Sequence, residues 1–226
     1  MSDPFKPGTP RGRRIVPGGE VLRRYADSSG PTRFFLWLRW LWTPYGQMAS
    51  LLPARGRILD GGSGHGLLSL TLALQSPARK VIGLDHSTER VAAAKKAAGK
   101  LPNVVFKKGD FLQMPSGSFE GLAFVDVLHY LTYPTQAKLL KDCYRRLRRG
   151  GVLLFRDVDP SPGLTSSLNR VHETIMTGLG FTKAGGLHFR TVPEWTRLAE
   201  EAGFRVRSKP TGRFPFADVL FWCRKP

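Results

Sequence analysis

Acidic residues are scarce in this sequence. Against 35 Lys and Arg stand 17 Asp and Glu in 226 residues, a formal net charge of +18 with a pI near 10.7. A charged partner of such a surface is itself acidic: nucleic acid, an anionic membrane, or an anionic substrate or carrier protein. The arginines are spread along the chain, so a solvated basic surface set by host composition is the plain alternative. Cysteine is scarcer still. Cys143 and Cys223 sit in apolar helix and strand patterns without metal-ligand spacing, which points away from a metal site and toward a reduced, cytoplasmic chain. No apolar run approaches the roughly 20 residues that cross a bilayer, and Met1–Gly19 lacks the apolar core of a secretory signal. The hydrophobic fraction of 41% is enough for one domain with an appendage.

Residues 1–19 read as a flexible basic tail, with Pro4, Pro7, Pro10 and Pro17 among Arg11, Arg13 and Arg14. Residues 20–52 read as an aromatic helical lid. Val21–Tyr25 is a short helix candidate. After Ser29-Gly30-Pro31 comes Phe34–Trp42, with three tryptophans and two phenylalanines in nine residues, beside Arg33 and Arg39. As a helix this run is apolar over most of its circumference and too short to cross a membrane. It can pack over a catalytic face, lie in a membrane interface where Trp and Arg suit the headgroup level, or make a homodimer contact.

From residue 53 to 226 strand and helix patterns alternate. Strands are expected at Arg57–Asp60, Lys80–Asp85, Asn103–Phe106, Gly121–Asp126, Val152–Phe155, Phe204–Val206 and Val219–Cys223. Helices are expected at Leu67–Leu74, at Thr88–Ala98 behind an N-capping Ser87, at Gln136–Leu147 closed by Gly150-Gly151, and at Pro193–Ala202 ended by Gly203. This order implies an α/β fold, a Rossmann-like doubly wound sheet of seven mostly parallel strands with helices on both faces. The first strand runs into Gly62, Gly64 and Gly66 and then a helix start. Glycines there let backbone N–H groups approach a ligand, and a helix N-terminus adds donors and partial positive charge, which suits a nucleotide-like cofactor.

Asp60-x-Gly62-x-Gly64-x-Gly66 resembles motif I of the class I S-adenosylmethionine-dependent methyltransferases, of the small-molecule, ubiquinone-biosynthesis-like branch. A dinucleotide loop has two residues between its second and third glycines, and this one has one. The resemblance implies S-adenosylmethionine as cofactor and a transferase activity. It assigns Asp85, with His86 beside it, to the ribose hydroxyls, and Gly109-Asp110-Phe111 to the adenine. It places Asp126 where the methyl group faces the acceptor. Asp60, Gly61, Gly62, Ser63, Gly64 and Gly66 form the cofactor loop. Gly61 and Ser63 depart from the usual pattern, where an aliphatic residue and Cys or Ala are common. Each acid also has a structural use: Asp85 as a helix cap, Asp110 as a turn residue, Asp126 as a strand-end support, Asp60 as a brace for the loop.

No Asn/Asp-Pro-Pro-aromatic motif follows Asp126, which argues against methylation of base amino groups. The expected acceptor is small, or linked to a lipid or an acidic carrier, with oxygen as the accepting atom. Residues 157–191 read as a substrate-cap insertion. In it His188 and Arg190 alternate, so an extended segment places both on one side. His188 is the first candidate for a base and Arg190 for an acid clamp; His129, Asp157 and Tyr25 are further candidates. RNA methylation is the competing activity, favoured by charge and disfavoured by the lack of a recognisable RNA-binding module. A cofactor-binding protein without catalysis is the third.

Overall fold

Runs such as Val152-Leu153-Leu154-Phe155 carry no polar alternation, so both faces of the strand they form must be covered. The computed structural model, which describes residues 4–5, 14–160, 186–212 and 217–226, shows that arrangement. Its strands are β1 (Gly56–Gly61), β2 (Arg79–Asp85), β3 (Val104–Lys108), β4 (Phe119–Val125), β5 (Leu147–Val158), β6 (Arg205–Pro210) and β7 (Asp218–Arg224). They form one seven-stranded sheet in the order β3-β2-β1-β4-β5-β7-β6. β1 to β5 run parallel, and β7 is antiparallel to both β5 and β6.

Successive strand residues feed two cores. Ala123, Val125, Val152 and Leu154 pack on one face beneath α1 (Gly18–Arg23), α2 (Gly30–Trp42), α3 (Tyr45–Leu51), α4 (Leu67–Gln75) and α5 (Thr88–Ala98). Leu122, Phe124, Leu153 and Phe155 pack on the other beneath α6 (Tyr133–Arg146) and α7 (Val192–Glu201). The helix ends follow local chemistry. Ser87 accepts from Arg90 N–H at the start of α5, and Thr191 and Glu194 form a capping box on α7. The stretch expected as a helical lid, residues 20–52, carries three helices, with Pro44 between α2 and α3, and α3 packs on α4.

One boundary differs from expectation. Gly150-Gly151 do not close α6. That helix ends at Arg146, and Leu147 is already extended at φ −78°, ψ 142°. The glycines lie inside β5, where Gly150 has φ +75°. Leu147 pairs with Phe119 and Val152 with Gly121, so β5 carries a bulge within which Gly150 takes the left-handed conformation. β5 also continues past Phe155 through Arg156 and Asp157, two charges that sequence patterning places outside a buried strand.

Arg79 fastens the N-terminal helices to the sheet. It is wholly buried at the start of β2. Its Nη2 donates to the Ala49 and Leu52 carbonyls at 2.7 and 3.2 Å, its Nη1 to Leu72 O and Gln75 Oε1 at 3.0 and 2.9 Å, and its Nε to Pro53 O at 2.8 Å. A guanidinium thus sits at the carboxyl ends of α3 and α4, where helix dipoles favour a cation. Replacing it with Met leaves these buried acceptors without donors. Arg79→Met is expected to lose about 3 kcal/mol or more of unfolding free energy, measured by urea titration.

Candidate active site

β1 ends at Gly61, and the chain turns through Gly62–Gly66 into α4. Gly62 and Ser63 N–H groups both donate to the Leu84 carbonyl, at 2.8 and 3.0 Å, which ties the turn to the end of β2. Gly62 and Gly66 have φ of +73° and +88°. A Cβ on either would stand 2.6 Å from a neighbour, Val127 Cγ1 and Phe106 Cζ respectively. A Cβ on Gly64, φ +55°, would meet nothing within 4 Å. The loop is therefore packed at two glycines and open at the middle one. Gly61, the departure from the usual motif, faces the Phe124 ring so closely that no side chain fits.

Asp85 is buried at the end of β2. Its Oδ2 accepts Gly64 N–H at 2.8 Å and its Oδ1 accepts Ser87 N–H at 2.9 Å. The carboxylate joins the glycine loop to the start of α5, and both oxygens retain acceptor capacity. His86 is mostly exposed, with Nδ1 3.8 Å from Asp85 Oδ1. Asp60 turns toward α4, where Ser69 Oγ donates to its Oδ2 at 2.6 Å. Burial pushes the Asp60 pKa up to about 7, and the Asp85 charge adds to the rise. Gly109 N–H donates to Asp85 O at 3.0 Å. Asp110 is exposed, with Oδ1 accepting Leu112 N–H at 2.8 Å in an Asx turn, and the Phe111 ring meets Phe124 edge-on at 5.5 Å.

These groups fit S-adenosylmethionine. The Asp85 carboxylate offers two oxygens to a diol, Gly64 leaves an opening above it, and Ser63 Oγ is buried with no partner among the described residues. Asp85, the 62–66 loop, Asp110 and Phe111 are the residues that would hold the cofactor.

The helices before β1 roof this loop. Tyr25 is buried after α1, and its hydroxyl donates to the His65 carbonyl at 2.5 Å. Burial, with Tyr45 nearby, raises the Tyr25 pKa, so it stays a phenol. Phe35 of α2 lies against the His65 ring at 5.9 Å. Arg39 of α2 reaches Asp126 Oδ2 at 2.9 Å.

Asp126 itself follows β4 at φ +55°, alone among the described non-glycine residues in having positive φ. Arg156 Nη1 donates to both its oxygens, at 2.9 and 2.7 Å. Burial opposes the Asp126 charge, but Arg156 and then Arg39 outweigh it and lower the pKa. Arg156 continues to Thr43 Oγ1 at 3.2 Å, to the Trp42 carbonyl and to Asp218 of β7. In this structure both Asp126 oxygens serve the lid and the neighbouring strand. Asp218, which sequence reasoning passed over, closes this chain of charges.

His129 lies in the 3₁₀ turn Leu128–Tyr130 after Asp126. Its Nδ1 is 2.5 Å from Asp157 Oδ1, and both side chains are 1% exposed. Burial disfavours the imidazolium, yet the Asp157 carboxylate, with Asp126 behind it, outweighs burial and raises the His129 pKa. Asp157 Oδ1 also accepts Val158 N–H at 2.9 Å, and its Oδ2 is buried without a partner among the described residues. The expected residues His129 and Asp157 are thus brought together across 28 positions of sequence.

Of the expected cap, residues 161–185 lie outside the described residues. His188 N–H donates to the His129 carbonyl at 2.8 Å, and its Nδ1 is buried and unpartnered among the described residues. Arg190 does share a side with His188, but that side faces α6. Its Nε donates to Gln136 Oε1 at 2.7 Å, its Nη2 donates to the Tyr133 carbonyl, and its guanidinium lies 4.6 Å from the Tyr133 ring centroid, against which His188 packs edge-on. Gln136 is the residue sequence reasoning missed. Its Nε2 donates to the Leu128, Leu131 and His188 carbonyls, joining the turn to the 188–190 segment. The available signal was its place in line with Leu139, Leu140 and Cys143 on the buried side of α6.

Known proteins resemble this chain in sequence and in fold. A family model described as a methyltransferase domain matches residues 58–151. The demethylmenaquinone methyltransferase of Thermus thermophilus is 30% identical over 174 residues, covering 70% of this chain and 78% of that protein. The trans-aconitate 2-methyltransferase of Deinococcus radiodurans is 33% identical over 152 residues, covering 64% of this chain and 56% of that enzyme. The chain spans about half the length of several relatives it matches. Human N-acetylserotonin methyltransferase, solved with S-adenosylmethionine, shares the fold at 24% identity and a TM-score of 0.62, over 93% of this chain and 60% of that one.

Asp85→Ala removes the acceptor pair and frees the Gly64 and Ser87 N–H groups. Binding of S-adenosylhomocysteine, measured by calorimetry, is expected to weaken by roughly 1–3 kcal/mol.

Proposed function

The chain belongs to the S-adenosylmethionine-dependent methyltransferases, and from that membership we propose that it methylates oxygen on a small acceptor, free or lipid-linked. The two relatives described above are named for small acceptors, demethylmenaquinone and trans-aconitate. The observation that carries the proposal is the buried His129–Asp157 pair at the carboxyl ends of β4 and β5. A phenol or hydroxyl must lose a proton to become a good nucleophile, and an imidazole held by a carboxylate is a suitable base.

Bound S-adenosylmethionine supplies an electrophilic methyl group on a sulfonium sulfur. The chain's own residues supply position and proton transfer. Asp157 holds the His129 ring through Nδ1, and the acceptor proton is assigned to the other ring nitrogen, Nε2. The bond between His188 N–H and the His129 carbonyl, with Gln136 beneath it, holds the turn that carries His129. Asp126 and Arg156 hold Arg39 and α2 over the same edge. His129 is favoured over His188 as the base because it has a carboxylate partner.

Asp157→Asn is the test, with labelled cofactor and a panel of phenols, hydroxy acids and lipid extract. S-adenosylhomocysteine affinity is expected to stay unchanged while transfer slows by about 10²-fold or more. The wild-type base must be neutral, so its rate rises with pH through the raised His129 pKa. Without the Asp157 charge that limb moves to lower pH. The charged pair also favours folding below the pKa of an unfolded histidine, and the advantage fades as pH rises through the raised folded value. The stability gap between wild type and variant is therefore widest in mild acid. Label appearing only in RNA, or cofactor binding with no transfer to any extract, overturns the proposal.

A further inference from the structure

α2 has two faces, and the site uses one. Leu36 is buried, Phe35 packs on His65, Trp40 meets Tyr45 at 5.4 Å between ring centroids, and Arg39 pairs with Asp126. The opposite face carries Phe34, Trp37 and Leu41, at helical spacings of three and four, with exposures of 61%, 47% and 42%. The Phe34 and Trp37 rings stack at 5.9 Å, so they form one apolar ridge. Because the inner face is fixed by an ion pair and ring contacts, the helix cannot roll to bury this ridge.

The exposed Arg33 stands beside Phe34 in the helix, and no acidic residue occurs in the sequence between Asp27 and Asp60. The whole chain carries +18. Apolar aromatic side chains with arginine beside them, on a helix too short to span a bilayer, suit the boundary between headgroups and acyl chains of an anionic membrane. A second copy of the chain fits less well. Three partly exposed side chains offer on the order of 300 Å² of apolar surface, against roughly 800 Å² per partner in a stable dimer.

We propose that the outer face of α2 docks this protein on an anionic lipid surface, with Phe34, Trp37 and Leu41 entering the interface and Arg33 contacting phosphate. The proposal rests on the reading above that the acceptor can be lipid-linked. The helix whose outer face meets lipid is the one whose inner face roofs the glycine loop and reaches Asp126, so a membrane-held acceptor lies beside the entrance to the site.

The test is flotation with vesicles of phosphatidylcholine alone and of phosphatidylcholine mixed with phosphatidylglycerol, followed also by tryptophan emission. Wild type is expected to float with the mixed vesicles and to shift its emission to the blue. The triple variant Phe34→Ser, Trp37→Ser, Leu41→Ser is expected to lose about tenfold or more of that binding, and Arg33→Ala to lose binding that low salt restores. The inner-face contacts of α2 to His65 and Asp126 are untouched, so S-adenosylhomocysteine affinity should remain as in wild type. Equal flotation of wild type and triple variant overturns the proposal, as does failure of wild type to bind mixed vesicles. A wild-type dimer that becomes a monomer in the triple variant assigns the ridge to a second copy instead. Loss of acceptor methylation with vesicle binding intact counts against the reading of the acceptor and leaves the docking surface standing.

Discussion

Four charges alternating in sign, Arg39, Asp126, Arg156 and Asp218, hold together the edge of the sheet where the site lies. They join α2, the residue after β4, the end of β5 and the start of β7. Burying ions costs solvation, and a buried network rarely adds net stability over apolar packing. What this one supplies is placement. An apolar helix such as α2 could slide on an apolar core, whereas Arg39 can meet Asp126 in one position only. Asp126 holds a backbone conformation that non-glycine residues seldom adopt, and two guanidinium groups offset that strain. Asp218 has its pKa pushed up to about 6, chiefly by burial and then by Asp126, so it is the member of the chain nearest to accepting a proton.

The fold was legible wherever period and punctuation agreed. Lys80–Asp85, Thr88–Ala98 and Val219–Cys223 are apolar or amphipathic runs bounded by Ser87, Gly99 or charge, and each forms within a residue or two of its expected span. Gly150-Gly151 misled for a physical reason. Two glycines after a helical stripe are the usual signature of a helix end, yet here the strand bulges through them because Arg148–Gly151 must be accommodated against a single residue of β4, Glu120. Arg79 was hidden by its chemistry. A lone arginine at a strand start looks solvated, and only the convergence of α3, α4 and the Leu52–Pro53 carbonyls turns it into a buried clamp.

The two halves of the site differ in how local they are. The half that would hold the cofactor is assembled from strand ends: the 60–66 loop, Asp85, and Gly109–Phe111. Each needs only a short motif in a known place, and the parallel sheet aligns them without further information. The half proposed to receive the acceptor is assembled from long-range pairs. Arg156 bonds to Thr43 across 113 positions, Asp218 to Arg156 across 62, and Gln136 to His188 across 52. No window of sequence contains both partners, so His129, Asp157 and Arg190 could be named as candidates but not matched.

The same contrast bears on which parts of the site can vary. The Asp85 carboxylate is tied to loop N–H groups that only the backbone supplies, so its role depends little on neighbouring side chains. The His129–Asp157 pair depends on β5 remaining extended beyond Phe155, which in turn depends on β7 pairing Asp157 with Val219 and Val158 with Asp218. Arg156, between Phe155 and Asp157 on that strand, points to the lid while Asp157 points to the 3₁₀ turn, as strand alternation requires. One short stretch of β5 therefore sets both the position of the roof over the cofactor loop and the orientation of the histidine proposed as base. A one-residue slip of that stretch would exchange the two partners and disable both functions together.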